Sequence, residues 1–271
     1  MRERGRVAKA VLGLVLVILY VPLLFVVVSG FNRNPLSTSW QGFTTSWYDD
    51  AFADVSLRHA VGVSIRLALG ASLASVVVGT LAVLAARRTL WFSRIGTLLA
   101  TVRVATPEII IATGLGAVLP AVSIAFGFRP MLIAHVAYLS AFVVLIVGAR
   151  AAGASRTLEE AALDLGAKRW QVLRDIVLVD LRPAIVSSAL LALAFSFDDV
   201  ALSLALRGPR DTTVPIYIFS AVQRRVTPSI YAIGTLIIAV GVVSFLAAIV
   251  VHRAVAGIDI GDRPSRARAQ T

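Results

Sequence analysis

The chain has 271 residues, of which 58% are hydrophobic and 15% charged, with a mean hydropathy of +0.86 and a formal net charge of +11 at pH 7. A soluble domain is about half apolar and about a quarter charged, so lipid rather than water is the solvent for most of this molecule, and an ordinary soluble enzyme or binding module is excluded. The absence of cysteine excludes disulfides, thiolate metal ligands and a cysteine nucleophile.

Crossing a bilayer as a helix takes about 20 apolar residues, and runs of that length exclude barrel strands, which need about 10. Six such segments are predicted, at 10–29, 60–86, 96–126, 130–150, 183–206 and 228–251. The first follows Arg2, Arg4, Arg6 and Lys9, as in a signal peptide. Its apolar run from Val11 to Val28 is too long for a usual signal and no small-x-small cleavage site follows, so it reads as a retained span. The loop after it carries Trp40, Phe43, Trp47 and Tyr48, rings suited to the headgroup region.

The second span contains Arg66, and the third contains Arg103 and then Pro107-Glu108, where the proline can open the helix. In the fourth, His135 is expected to be a hydrogen-bonded core histidine. A polar insert, 155–180, precedes the fifth span, which Asp198 and Asp199 interrupt. Residues 207–227 mix the turn formers Gly208, Pro209 and Pro215 with Tyr217, Phe219 and Val222. They read as a re-entrant plug, as a contact surface for an acidic external partner through Arg210, Arg224 and Arg225, or as a plain solvated connection. The expected fold class is all-α: a polytopic membrane protein with six transmembrane helices in one domain, 1–258, followed by a disordered cytoplasmic tail, 259–271.

The basic residues sort by loop. With the amino terminus inside, 17 of the 26 lie on the cytoplasmic side and 7 outside, which fits the positive-inside rule and puts both termini and the insert in the cytoplasm. This distribution accounts for the charge without nucleic acid. Within the insert, Thr157 is placed to cap a helix whose third residue is Glu160, and Gly166 to end it in a left-handed conformation. A second short helix then carries Trp170, Leu173, Ile176 and Val177 as an apolar stripe. Unless something docks on it, such an insert is an ordinary amphipathic helix pair.

An ionisable group inside a span costs about 2.5–3.5 kcal/mol on insertion scales, so each is a functional candidate. On a continuous helix Asp198 and Asp199 point about 100° apart, one toward a central path and one toward a neighbouring helix. Together with Glu108 they would attract a substrate bearing ammonium groups. The alternative is internal pairing, with Arg66 for Asp198 or Asp199 and Arg103 for Glu108. There is no Gly-rich loop ending in Gly-Lys-Ser/Thr to hold ATP phosphates, and no nucleophile, base and orienter set, so no bond chemistry is expected of the chain.

The segment Glu160-Ala161-Ala162-Leu163-Asp164-Leu165-Gly166, with Ile176-Val177-Leu178 ten residues beyond the glycine, resembles the EAA loop of the membrane-spanning subunits of ABC importers. Val179 stands where that pattern has proline. Trp40-Gln41-Gly42-Phe43-Thr44, Pro107-Glu108-Ile109-Ile110, Ser196-Phe197-Asp198-Asp199 and Arg224-Arg225-Val226-Thr227-Pro228 resemble the PotC-like permeases of the spermidine/putrescine type, from about Phe31 to Ile238.

The resemblance implies a bacterial inner-membrane permease subunit, partnered by a dimeric ATP-binding subunit, a second related permease and an extracytoplasmic substrate-binding protein. ATP and Mg would be bound by the ATPase, with no cofactor or metal in this chain. Glu160, Ala161, Ala162, Gly166, Ile176 and Leu178 would form the coupling element, and Asp198, Asp199 and Glu108 would belong to the substrate pathway. Polyamine is the implied substrate, with ferric iron, phosphonate or another small solute as alternatives. An ion-coupled secondary transporter and a non-transporting anchor are the rivals from other classes.

Overall fold

The computed structural model describes residues 2–35, 39–87, 90–154, 156–224 and 227–261. Among these there is no strand, only one isolated bridge between Asn32 and Phe43. The chain forms two compact units, one from 1–54 with 221–271 and one from 55–220.

In the first unit, α1 (Arg2–Ser29) and α12 (Pro228–Gly261) pack together with the short α2 (Ser46–Ala53). Phe25 meets Tyr231 edge-on. The aromatic loop is more than an interfacial anchor, because Phe31 stacks on Phe43 and meets Tyr48 at a tilt, and Trp47 Nε1 donates to the Asn32 carbonyl at 2.9 Å. The first three residues of the expected tail continue α12, and 262–271 lie outside the described residues.

The second unit is built around α3 (Val55–Ala86), which packs against α6 (Phe128–Gly153) and α9 (Leu178–Asp198). Lipid supplies no hydrophobic drive between helices, so close approach depends on small residues. The buried face of α3 is accordingly rich in them: Ala60, Ser64, Ala68, Ala71, Ser72, Ser75 and Gly79. Ser72 Oγ donates to the Ala189 carbonyl at 2.7 Å, tying α3 to α9. At Gly79 a Cβ would lie 2.6 Å from Val143 Cβ and 3.1 Å from the Ser140 carbonyl oxygen of α6. Gly79→Ala is therefore expected to push α3 off α6 and cost about 1–3 kcal/mol, read as a lower unfolding midpoint of the purified protein. An unchanged midpoint would show that this crossing is not tightly packed.

Four described helices are long and apolar enough to cross a membrane: Val11–Ser29 within α1, α3, α6, and the continuous run Arg169–Asp198. The predicted third span is not one straight helix. It is broken into α4 (Leu90–Ala105) and α5 (Glu108–Ala121), with a bend of 96° between Arg94–Ala105 and Glu108–Ala121. Pro107 explains the break, since it lacks an N–H and disfavours helix at Thr106. The predicted fifth span is likewise broken, α9 ending at Asp198 and α10 (Ala201–Leu206) following after two residues. Beyond it, α11 (Val214–Arg224) starts where the Val214 amide donates to Ser64 Oγ at 2.8 Å. Thr213, Val214 and Ile216 are buried, so this part of the loop is not a plain solvated connection.

Candidate functional site

Non-helical backbone at membrane depth persists only where protein or a water-lined cavity surrounds it. Here the two breaks come together, because α5 packs against α10. Asp199 has extended backbone (φ −64°, ψ 130°), which ends α9 and separates the two acids. Asp198 is left exposed at the helix end and Asp199 turns inward, 8% exposed. The expectation of a continuous helix with two carboxylates 100° apart is thus corrected.

Asp199 is held from three directions. Its carboxylate accepts the amide protons of Leu202 (3.2 Å) and Ser203 (2.8 Å), two of the donors that the first turn of α10 leaves unpaired. Its Oδ2 lies 3.2 Å from Nε2 of His135, which is 1% exposed. Ser196 Oγ sits 2.9 Å from His135 Nδ1, and Ser203 Oγ 3.2 Å from Nε2. With its proton on Nε2, the imidazole donates to Asp199 while Nδ1 accepts from Ser196. The partner of the buried acid is therefore His135 and not Arg66, which is exposed and donates through Nε to the Gly62 carbonyl.

Glu108 opens α5, where a carboxylate also suits the helix N-terminus. It is half-buried and close enough to Asp199, Arg103 and Asp198 for their charges to act on it. Arg103, in the last turn of α4, lies over the Tyr138 ring at 3.8 Å from its centroid, close enough for a cation–π contact. Its two terminal nitrogens are buried without a hydrogen-bond partner, so the alternative of a closed Arg103–Glu108 pair is not what the structure holds. The cluster thus joins Glu108, Asp198, Asp199, Arg103, Tyr138 and His135 from four helices. Sequence reasoning took His135 for a hydrogen-bonded core histidine, as it is here, but did not join it to Asp199. Serines three before and four after Asp199 were the overlooked signal.

The insert folds as a short α7 (Arg156–Asp164), then α8 (Arg169–Val172), a π turn (Leu173–Val177) and α9. The helix begins at Arg156, so Thr157 lies in its first turn rather than at the cap. Gly166 has φ +87°. The Ala167 amide donates to the Ala162 carbonyl and the Gly166 amide to that of Leu163, the two bonds of a Schellman stop. On α7, Glu159 and Ala162 face inward, while Leu158, Ala161 and Glu160 are exposed, as is Leu165 in the turn that follows. In the second helix Val172 is buried in place of the expected Trp170, which is 60% exposed. Leu173 and Ile176 pack against the cluster of Val83, Val143, Val147, Val177 and Leu181. Leu178 follows at the start of α9, its amide donating to the Leu173 carbonyl to close the π turn, and α9 runs on through Pro183 without a break.

Residues 76–259 match the model of the family described as the binding-protein-dependent transport system inner membrane component. The chain belongs to this family. The permease is 35% identical over 267 residues, 93% of its length and 92% of the relative's, to the putrescine transport system permease protein PotI of Escherichia coli K12. It is 34% identical over 222 residues, 81% of its length and 86% of the relative's, to the spermidine/putrescine transport system permease protein PotC of Haemophilus influenzae. A bacterial ABC transporter involved in import of the acidic polysaccharide alginate shares the fold, with a TM-score of 0.66 over 94% of this chain and 96% of that one at 17% identity. The permease is therefore a multi-pass inner-membrane transport subunit of nearly all-helical fold, and the ion-coupled transporter and the passive anchor are set aside.

Proposed function

We propose that this permease carries a polyamine, putrescine or spermidine, into the cytoplasm as one of two membrane-spanning subunits driven by a separate dimeric ATPase. The observation that carries the substrate reading is the acidic cluster at two helix breaks, in a chain similar over nine-tenths of its length to a putrescine permease. Asp199 holds the break open, and Glu108 and Asp198 present charge to the ammonium groups. The positive-inside distribution supports a cytoplasmic insert, both termini inside and six spans, with α12 as the last. The exposed set of Leu158, Ala161 and Leu165, with Trp170, is the face offered to the ATPase. Glu160, Ala161, Ala162, Gly166, Ile176 and Leu178 form the element behind and around it, Gly166 ending α7 and Ile176 seating the second helix on the spans. The external binding protein delivers the solute to the opposite side.

The test is uptake of labelled putrescine and spermidine by proteoliposomes holding the complex and binding protein, with ATP inside. Uptake that requires ATP and is competed by either unlabelled polyamine is expected. ATP hydrolysis stimulated by the binding protein without polyamine uptake would assign another solute, and uptake indifferent to ATP would overturn the coupling reading.

A further inference from the structure

The short helix α7 is tied to the spans by more than its own chain ends. Arg87, the residue that follows α3, reaches Glu159 on the inward face of α7 with Nη2 and Oε1 2.5 Å apart, across 72 positions of sequence. Both side chains are largely enclosed, 18% and 24% exposed, unlike the Arg150–Asp180 pair between α6 and α9, at 53% and 35%. Around the pair lies an open cleft of about 610 Å³, which Arg150, Asp180, Ile176 and Pro183 also line. One residue along the helix, the exposed Glu160 makes no such link. The Schellman stop at Gly166 ends α7 before α8, Ala162 packs it against the cluster of Val83, Val143, Val147, Val177 and Leu181, and the ion pair adds a direct polar link from α7 to the end of α3.

We propose that the Arg87–Glu159 pair is a strut that passes the movement of α7 to the end of α3, which makes both residues positioning residues of the transport cycle. The proposal rests on the reading of 155–180 as the ATPase coupling element. A push on the exposed face of α7 then arrives at α3 as a displacement of its terminal turn. Because α3 packs against both α6 and α9, the displacement reaches the helices that carry His135 and Asp198. An enclosed ion pair suits this role better than an exposed one, since less water and salt screen it.

The experiment measures labelled putrescine moved per ATP hydrolysed in proteoliposomes containing the complete complex and the binding protein. Arg87→Gln and Glu159→Gln are expected to keep ATP hydrolysis while this ratio falls about fivefold or more, and the reversed pair Arg87→Glu/Glu159→Arg to bring it back within about twofold. The chain has no cysteine, so Arg87→Cys/Glu159→Cys gives an internal comparison: a low ratio before, and a restored ratio after, a short bis-maleimide joins the two thiols. A wild-type ratio in both single variants, or a ratio that stays low once the thiols are joined, overturns the strut. If putrescine enters the wild-type proteoliposomes at a rate indifferent to ATP, the coupling reading fails and takes the strut with it.

Discussion

Asp199→Ala is expected to be the most damaging single substitution in the chain, lowering the unfolding midpoint of the solubilised protein as well as abolishing uptake. The carboxylate serves two α10 amides and the buried His135 together. Removing one member of a buried pair costs about 3–5 kcal/mol, because the remaining groups lose their partner where no water replaces it. By the scaling of soluble domains this lowers the midpoint by on the order of 10 °C. Asp199→Asn keeps one carbonyl oxygen but turns an amide donor toward either a backbone N–H or His135, so an intermediate loss is expected. His135→Ala removes one of the carboxylate's partners, together with the imidazole's contacts to Ser196 and Ser203, but leaves both amides capped, and should cost less than Asp199→Ala. A thermal melt of the three variants beside wild type checks this order. If Asp199→Ala melts like wild type and loses only uptake, Asp199 is a substrate ligand and not the anchor of the break.

The sequence made legible whatever depends on local chemistry. Long apolar runs gave the helices, Pro107 the break before α5, and Gly166 the stop of α7, because each acts through its own backbone. What it left open depends on residues far apart in the chain. Asp199 pairs with His135 across α6 and α10, a contact that no helical spacing reveals, and a span drawn through Asp198 and Asp199 hides the fact that Asp199 ends one helix and secures the next. Trp170 fits an apolar stripe on a uniform α-helix, but Val172 is the residue buried, in a short helix that runs directly into a π turn. In the same way Glu159 and Glu160 are interchangeable as text, and only the position of Arg87 separates an inward strut from a solvated neighbour.

Glu108→Gln and Asp198→Asn should spare assembly and ATP hydrolysis and weaken uptake, the opposite profile to Asp199→Ala. Neither carboxylate is fully enclosed, Glu108 being half-buried and Asp198 exposed, so neutralising either leaves no stranded partner comparable to His135. An aliphatic amine resembles lysine in basicity, near pKa 10.4, and is carried as an ammonium at neutral pH. A charge-assisted hydrogen bond to such a group contributes about 1.5–3 kcal/mol, so each substitution is expected to raise the polyamine concentration for half-maximal uptake by about 10- to 150-fold. The two effects should not simply add, because both acids act on one solute and the charge of Asp198 acts on Glu108. Glu108→Asp keeps the charge on a shorter arm and should lose less than Glu108→Gln. Uptake kinetics for the three variants, alone and with Glu108→Gln and Asp198→Asn combined, separate the possibilities. If Glu108→Gln and Asp198→Asn transport with wild-type half-saturation, the acids do not meet the substrate in this chain, and recognition lies in the second permease or in the external binding protein.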